Sequence, residues 1–524
     1  MIGHEKVRKV ALVRMACDRS YKKWTKQRLH ALVLAVTWLL LLLLLEYRLS
    51  FNTSSRGTAG QRSANITLAT DEERQCTGTF IRPREFEVAL EKFNENLLVV
   101  EGLQGDPRQP SGNFTDVMAK RGFGVPVPYR CAPERRAVRE EWEACDQRDA
   151  DFTEERDILC QNYLRNIDNV RYIKAMSSRY LYGRTIKFKL RYAHNEIEAV
   201  VKVSQEKFYY EASSEVAAFK ADRALNLSRV PTTVMIPLPV DYIRAASAFS
   251  PFFSQWITNS ILEDSQVEND FIPCTYPSHN HSVEATYCTF VSAQLWMHDV
   301  HPTVKTFLAL PYKFTDAFVK RYLVPGTRDW PPDPAKLRAL GELVERFIFD
   351  FIIGNGDRGM NDHNNFAYGG CSPKTDCDRP PKAMRIKGIS KYAFLDHGSS
   401  FYSHKDPKNN PFSGDIENIT ICRFRKKLYE TMRRYNESGN AYRTLPFVYS
   451  FRKGLPKHVF NMLAMKPAFA TQLRLEKVLR VVERCIKKYR EEEVFSLPPY
   501  SKVIIPEEHE GLDLIPEGNY EEPD

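Results

Sequence analysis

The order of hydrophobic and polar residues predicts strands first and a helix afterwards in the middle of the chain. Residues 180–203, YLYGRTIKFKLRYAHNEIEAVVKV, alternate β-branched and aromatic residues with charged ones on both sides of a polar His194–Asn195 turn. Alternation with a period of two is typical of a β-hairpin. Apolar residues recur at helical spacing over 213–225, and the following RVPTTVMIPL again has strand character. We therefore expect the order strand, strand, helix, strand.

The second half of the chain has longer helical patterns. An apolar-periodic run over 335–353 leads into the polar sequence GNGDRG, and a further amphipathic helix is predicted over 473–494. Between them, KYAFLDHGSSF is a strand that ends in a polar glycine turn. These patterns together predict an α/β (α+β) fold with a β-rich part followed by a helical part.

One apolar run near the N-terminus predicts a membrane anchor over residues 29–45. Its core, Ala31–Leu45, is uncharged over 15 residues, and 17 helical residues extend about 25 Å, enough for a thin bilayer. A cleaved signal peptide is the alternative. The long basic flank and the lack of a small-residue cleavage site favour an uncleaved anchor.

The charge distribution supports this topology and argues against nucleic-acid binding. Residues 1–28 contain nine Lys or Arg and two acids, a surplus of seven within a net charge of +9. The positive-inside rule places this segment in the cytosol, which predicts a single-pass type II protein. Because the remaining chain is nearly balanced, we expect no nucleic-acid partner.

Sequons and cysteines are consistent with a lumenal main part. Seven N-x-S/T sequons lie beyond the anchor, at Asn52, Asn65, Asn113, Asn226, Asn280, Asn418 and Asn436, and each is a predicted glycosylation site. Of 11 cysteines only Cys17 precedes the anchor, which leaves ten in an oxidising compartment. Proximity suggests the pairs Cys274–Cys288 and Cys371–Cys377. Zinc binding by cysteine is not expected because paired C-x-x-C spacings are absent.

Composition divides the rest of the chain into regions. We predict a flexible stalk at 46–75, an N-terminal extension at 76–174, a β-rich lobe at 175–260, a helical lobe at 261–498 and an acidic tail at 499–524.

Two residues of the β-rich part are candidates for nucleotide binding. Lys202 ends the predicted strand EAVVKV, and Glu215 follows 13 residues later on the next helix. A helical glutamate that faces this strand would pair with the lysine or bind a metal ion. Taken separately, Lys202 could be a solvated strand residue and Glu215 an acid favoured at a helix N-terminus.

Three residues of the helical part are candidates for catalysis and metal binding. Asp357 follows the long predicted helix on a polar loop, and Asn365 lies eight residues later, with Asn364 as the alternative. Asp396 ends a strand two residues before Gly398. Phosphoryl transfer needs a cation for the nucleotide phosphates, carboxylates for a divalent metal, and a base for the acceptor hydroxyl. The alternative for Asp357 is a residue that caps a Gly-Asn-Gly turn.

These motifs, EAVVKVSQ, EVAAFKADRALNLSRVPTTV, DFIIGNGDRGMNDHNNFAY and FLDHGSSF, resemble the secretory-pathway kinase family that includes the Golgi casein kinase, the proteoglycan xylose kinase and four-jointed. The resemblance covers about residues 175–495 and implies a two-lobed protein-kinase-like fold. By matched position it implies ATP-binding roles for Lys202 and Glu215, a catalytic aspartate at Asp357, and metal binding by Asp396 and Glu215. Asn365 is the further predicted metal ligand, from its position on the loop after Asp357. The resemblance also implies Mn²⁺, or Mg²⁺, as the metal.

The sequence thus predicts a Golgi membrane kinase that transfers the γ-phosphoryl group of ATP to a hydroxyl. The acceptor is a secreted protein (Ser/Thr) or a proteoglycan or other glycan, and a form released by cleavage is an alternative to the anchored one. A homodimer, or a heterodimer with a related kinase, is the expected assembly. The rival prediction is a catalytically silent pseudokinase that scaffolds or activates a related kinase.

Overall fold

The computed structural model describes the chain from residue 80 to 499 with gaps. The described residues are 80–100, 124–130, 139–149, 151–176, 187–205, 210–259, 271–277, 283–303, 315–327, 330, 334–358, 365–370, 380–386, 390–401, 405–408, 410–436, 445–452, 455–456, 459, 462–463 and 465–499. All of them belong to one compact unit, Glu72–Asp524. The predicted anchor and stalk lie outside the described residues, as does the acidic tail apart from Pro499.

The described part of the chain contains strands and helices throughout, so the fold is mixed α/β. The strands are β1 Phe80–Ile81, β2 Val125–Pro126, β3 Tyr129–Arg130, β4 Val170–Ala175, β5 Lys187–Tyr192, β6 Glu198–Val203, β7 Thr233–Pro239, β8 Phe271–Pro277, β9 Val283–Leu295, β10 Val300–Pro302, β11 Phe366–Tyr368 and β12 Lys391–Ala393. The α-helices are α1 Arg84–Val100, α2 Arg139–Glu143, α3 Glu154–Arg165, α4 Glu211–Ala224, α5 Val240–Ser247, α6 Pro251–Ile257, α7 Asp316–Tyr322, α8 Pro334–Ile353, α9 Lys426–Arg433, α10 Pro446–Arg452, α11 Met465–Lys488 and α12 Glu491–Val494. No described helix is long and apolar enough to cross a membrane.

Among the described residues the main sheet has seven strands, in the order β2-β4-β5-β6-β9-β7 with β8 paired to β9. The predicted hairpin forms β5 and β6, which are antiparallel and place Lys187 opposite Lys202. Lys202 is in turn opposite Ser292 of β9. Because successive side chains of a strand point to opposite faces, Phe188 and Val201 lie in the apolar core on one face. Lys187 and Lys202 lie on the other.

The sheet extends further along the chain than the region 175–260 in which a β-rich lobe is predicted. β8 and β9 both follow residue 260, and β9 lies between β6 and β7. The predicted Cys274–Cys288 disulfide is confirmed and joins β8 to β9. Cys371 and Cys377 lie outside the described residues. The position of β9 is a long-range pairing, which local periodicity does not specify.

The helical part has its own apolar core. It includes Phe347 and Phe351 of α8, Val478 and Val482 of α11, and Phe424. The disulfide Cys422–Cys485 connects the segment before α9 to α11. A small antiparallel sheet has the strand order β10-β11-β12, and its strand β12 packs against α8.

The N-terminal extension binds the C-terminal end of α4. A disulfide joins Cys145 to Cys160 of α3, and Asp157 of the same helix accepts hydrogen bonds from Arg223 at 2.7 and 3.2 Å. Asp222, next to Arg223, accepts from the backbone N–H of Arg229 at 3.1 Å. The D-R pair of the sequence EVAAFKADRAL therefore holds α4 between the extension and the turn that leads to β7.

A buried ion network connects this turn to the helical part. Both carboxylate oxygens of Glu342 accept from Arg229 at 2.9 Å, and Arg425 donates to Glu342 at 3.1 Å. The side chain of Glu342 is fully buried. Burial alone would raise its pKa, but Arg229 and Arg425 outweigh burial and lower the pKa to about 2. Glu342 therefore stays ionised and paired.

We expect Glu342→Gln to lower the free energy of unfolding by about 3 kcal/mol, because the buried Arg229 and Arg425 lose the charge of the carboxylate that they share, although Glu345 stays 2.6 Å from Arg425. The wild-type contribution is present above pH 4.5 and is lost as the pH falls towards 2, since the folded pKa is the lower one. Denaturant midpoints of the full chain, compared with those of the exposed Glu417→Gln, measure the effect. An unchanged midpoint in Glu342→Gln would contradict it.

Candidate active site

The ammonium group of Lys202 lies among three carboxylates. Lys202 occupies the end of β6 and is 4% exposed. Its Nζ donates to Glu215 and to Asp396 and lies 3.4 Å from Glu211. Burial would lower the pKa of Lys202, but the three carboxylates raise it well above its usual value. Lys202 is therefore a buried, permanently charged cation.

Two of the carboxylates come from one face of α4. Glu211 and Glu215 are four residues apart, which places them one helical turn apart on the same side. Both residues are at most 1% exposed. Glu215 is a predicted site residue, whereas sequence reasoning missed Glu211. Its spacing of four from Glu215 was the available signal.

Glu211 is only partly satisfied in its surroundings. Gln205 donates to its Oε2 at 3.0 Å, whereas its buried Oε1 forms no hydrogen bond within the described residues and lies 3.4 Å from Lys202 Nζ in an ion pair. Burial raises the pKa of Glu211 to about 7, against the lowering effect of Lys202. A buried carboxylate oxygen without a hydrogen bond is costly, and the ion pair with Lys202 offsets only part of that cost.

The third carboxylate, Asp396, follows β12 in an uncommon backbone conformation. Its φ is +62°, in the left-handed region that non-glycine residues seldom adopt. The Asp396 side chain contacts Lys202 and accepts from Lys187 of β5 at 3.1 Å. Burial would raise its pKa, but these two lysines hold it well below the usual range. Strained backbone of this kind often occurs at functional sites.

The glycine of the D-x-G sequence allows α4 to approach Asp396. A Cβ atom at Gly398 would lie 2.7 Å from Cγ and 2.9 Å from Oε1 of Glu211. Such distances are too short for any side chain. Glycine at this position therefore lets the segment after β12 pass directly against the two glutamates of α4.

Asp357 lies on a loop whose shape depends on its neighbours. Arg358 makes a bidentate pair with Asp350 at 2.8 and 2.9 Å and also donates to the carbonyl of Leu395, next to Asp396. The backbone N–H of Asp357 donates to Asn355 Oδ1 at 3.2 Å. The Asp357 side chain is exposed. Arg358 therefore brings this loop beside the cluster around Lys202, with the Asp357 carboxylate at the surface.

Asn365 lies at the same end of the small sheet as Asp396. It is buried and directly precedes β11, and in the register of β11 with β12 the next residue, Phe366, is opposite Ala393, three residues before Asp396. Asn364 lies outside the described residues. Of the predicted site residues, Lys202, Glu215 and Asp396 are thus in direct contact, and Asp357 and Asn365 come from segments next to them.

Comparison with known proteins found matches among solved structures only. No protein-family profile and no curated protein matches the chain. A structure of hydra Fam20 with sugar is similar at 14% identity and a TM-score of 0.38, covering 67% of this chain and 97% of that one.

Two structures of the Golgi casein kinase are similar as well. One has 15% identity and a TM-score of 0.39, covering 84% of this chain and 96% of that one. The other, with Mn/ADP bound, has 15% identity and a TM-score of 0.37, covering 78% and 91%. The structural neighbours thus include the Golgi casein kinase, which the sequence motifs also resemble.

The carboxylates suit a divalent metal in type but are paired with lysine in this structure. Hard cations such as Mg²⁺ and Mn²⁺ prefer carboxylate and carbonyl oxygens. Within the described ranges no group of three His, Cys, Asp or Glu side chains is arranged around a common metal position. Three carboxylates nevertheless surround two lysines, and Glu211 Oε1, 3.4 Å from Lys202 Nζ, forms no hydrogen bond within the described residues. The donor set therefore fits a cation bound together with a negatively charged ligand.

Proposed function

We propose that this protein is an ATP-dependent kinase of the secretory pathway. The observation that carries the proposal is the contact of the buried Lys202 with both Glu215 and Asp396, beside a loop that exposes Asp357. A fixed cation, convergent carboxylates and an accessible base are the groups that phosphoryl transfer requires. They come from four separate parts of the chain.

Each residue has a separate role in this proposal. Lys202, oriented by Glu215, binds nucleotide phosphate oxygens through its ammonium group. Asp396, with Glu215 and Asn365, would hold Mn²⁺ or Mg²⁺, and the unsatisfied Glu211 lies beside them. The metal ion, when bound, supplies positive charge against the phosphates.

The exposed Asp357 is the proposed base. Its carboxylate accepts the proton of the acceptor hydroxyl while that oxygen bonds to the γ-phosphorus, and the bond from this phosphorus to the β–γ bridging oxygen breaks, so that ADP leaves. Exposure of Asp357 suits this role, because a macromolecular acceptor has to reach the base from solvent. The acceptor is a hydroxyl of a secreted protein or of a glycan.

The proposal includes location and assembly. It places the enzyme as a single-pass type II protein of the Golgi membrane, with the described residues in the lumen. The disulfide Cys422–Cys485 and its two described counterparts agree with an oxidising compartment. A homodimer or a heterodimer with a related kinase remains the expected assembly.

The alternative function is that of a catalytically silent pseudokinase. In such a protein a catalytic side chain should be missing. Lys202, Glu215, Asp357 and Asp396 are all present, and the first, second and fourth are in contact. This arrangement favours the active enzyme.

The test is phosphate transfer by the full chain, made in animal cells and purified in mild detergent. It is incubated with γ-labelled ATP and MnCl₂ against dephosphorylated casein and against a xylose-bearing glycopeptide, with and without EDTA. We expect EDTA-sensitive label on one of the two acceptors, which also identifies the acceptor class. Nucleotide-dependent thermal stabilisation without transfer would support the silent scaffold, and neither binding nor transfer would overturn the proposal.

A further inference from the structure

The middle residue of the D-x-G sequence, His397, is hydrogen-bonded to Glu215. Its backbone N–H donates to Glu215 Oε1 at 2.7 Å, and its ring Nδ1 lies 3.3 Å from Glu215 Oε2. Since an ionised carboxylate is acceptor-only, the ring contributes the proton from Nδ1. His397, the residue after Asp396, therefore contacts both carboxylate oxygens of Glu215.

The ring of His397 lies in a setting that otherwise suits an apolar side chain. It is fully buried and packs edge-on against Phe349, with ring centroids 5.6 Å apart and planes at 88°. Its Nε2 is buried and has no hydrogen-bond partner in the described part of the chain. Burying a polar atom without a partner costs free energy, so packing alone does not account for histidine here. The Nδ1 contact with Glu215 does.

The two oxygens of Glu215 have different partners. Oε1 accepts from Lys202 and from the His397 backbone, whereas Oε2 faces the His397 ring. A carboxylate bound through one oxygen can still rotate about its last side-chain bond, and a donor at the second oxygen restricts that rotation. Burial would raise the pKa of Glu215, but Lys202 and His397 together lower it to about 2. The His397 ring thus orients an ionised carboxylate.

We propose that His397 is a positioning residue for nucleotide binding: its Nδ1–H fixes the orientation of Glu215, and thereby of Lys202, relative to Asp396. The inference rests on the proposed kinase function and adds to it a residue with no role in the sequence-based assignment. The donor, His397, is the residue next to Asp396, and the acceptor, Glu215, belongs to α4. This hydrogen bond therefore holds α4 and the segment after β12 in one relative position.

Two substitutions separate the hydrogen bond from the packing. His397→Phe fills the space and keeps the ring contact with Phe349 but removes the donor. His397→Asn leaves a gap against Phe349, yet its side-chain amide can donate from the position of Nδ1. A role in packing alone would make the phenylalanine variant the better enzyme, and a role in positioning would make the asparagine variant the better one.

The measurements are KM for ATP·Mn²⁺, kcat and the melting temperature of the full-length variants. We expect His397→Phe to raise KM for ATP·Mn²⁺ at least about tenfold, and His397→Asn to stay within about threefold of wild type although it melts at a lower temperature. A purely structural residue would lower only the active fraction, seen as a lower apparent kcat at unchanged KM. If His397→Phe does not fold, His397→Leu replaces it, since leucine also lacks the donor.

The outcomes separate this inference from the function on which it rests. Transfer by the wild type together with a normal KM in His397→Phe would overturn the inference alone. Equal loss in His397→Phe and His397→Asn would do the same, because rescue by the amide is required. A wild-type protein that neither binds ATP·Mn²⁺ nor transfers phosphate would overturn the proposed function, and the inference with it.

Discussion

Asp396→Ala is expected to abolish phosphate transfer and the thermal stabilisation by ATP·Mn²⁺. Asp396 is the carboxylate on which Lys187 and Lys202 converge, and its loss removes a metal ligand next to the phosphate-binding ammonium. We expect transfer to fall at least about 10³-fold, equivalent to about 4 kcal/mol of transition-state stabilisation. Initial rates and melting temperatures, with and without ATP·Mn²⁺, measure both effects.

The variant should remain folded without ligand, for a reason visible in the structure. Lys202 keeps its contacts with Glu211 and Glu215, and Lys187 is 28% exposed and can be hydrated. Asp415→Ala, which removes an exposed acid of the helical part, is the matched control and should behave as wild type. An undiminished melting shift with ATP·Mn²⁺ in Asp396→Ala would remove Asp396 from the metal site.

Asp357→Asn should separate chemistry from nucleotide binding. An amide has the size of the carboxylate but cannot take the proton of the acceptor hydroxyl, so we expect turnover to fall by about 10² to 10⁴. The loop should keep its shape, because Asn355 and the Arg358–Asp350 pair hold it without using the Asp357 side chain. The stabilisation by ATP·Mn²⁺ should therefore equal that of the wild type. Single-turnover transfer and thermal melts test the two halves of this prediction.

The capping role considered for Asp357 predicts a different result. Asparagine caps turns as well as aspartate does, so a capping residue would tolerate the change. In the structure the bond within this turn is accepted by Asn355 and donated by the Asp357 backbone, which the substitution leaves intact. The exposed Asp316→Asn serves as control, and an Asp357→Asn protein with most of its rate would exclude Asp357 as the base.

Elements with strong local periodicity could be predicted from the sequence. The alternation around His194 forms β5 and β6, the helical spacing after residue 210 forms α4, and the apolar run before Gly354 forms α8. The bounds of α4 and α8 agree with the predictions within two residues, and β6 ends at residue 203 as predicted, while residues 180–186 of the predicted hairpin lie outside the described residues. Such agreement is expected because period two and period 3.6 depend on neighbours along the chain. The same periodicity places Lys202 on a strand and Glu215 on the helix that follows it.

The sequence could also indicate some of the charged residues that belong to one site, because they lie near the ends of strands. Lys202 is the residue before the last in β6, and Asp396 lies three residues after the end of β12. The sequence shows Gly398, two residues after Asp396, as part of a D-x-G motif, but it does not show why glycine is needed there. That reason is the close approach of Glu211, a contact between residues 187 positions apart.

What the sequence by itself determined was the local elements, the candidate residues and the compartment expected from cysteines and sequons. Only the tertiary structure decided that β9 lies between β6 and β7, that Glu211 joins the carboxylates around Lys202, and that His397 binds Glu215. The physical reason is that periodicity records which face of an element is buried. Which distant side chain contacts that face depends on how the sheet and α4 pack together. The pattern of residues along the chain does not specify contacts between residues that are far apart in sequence.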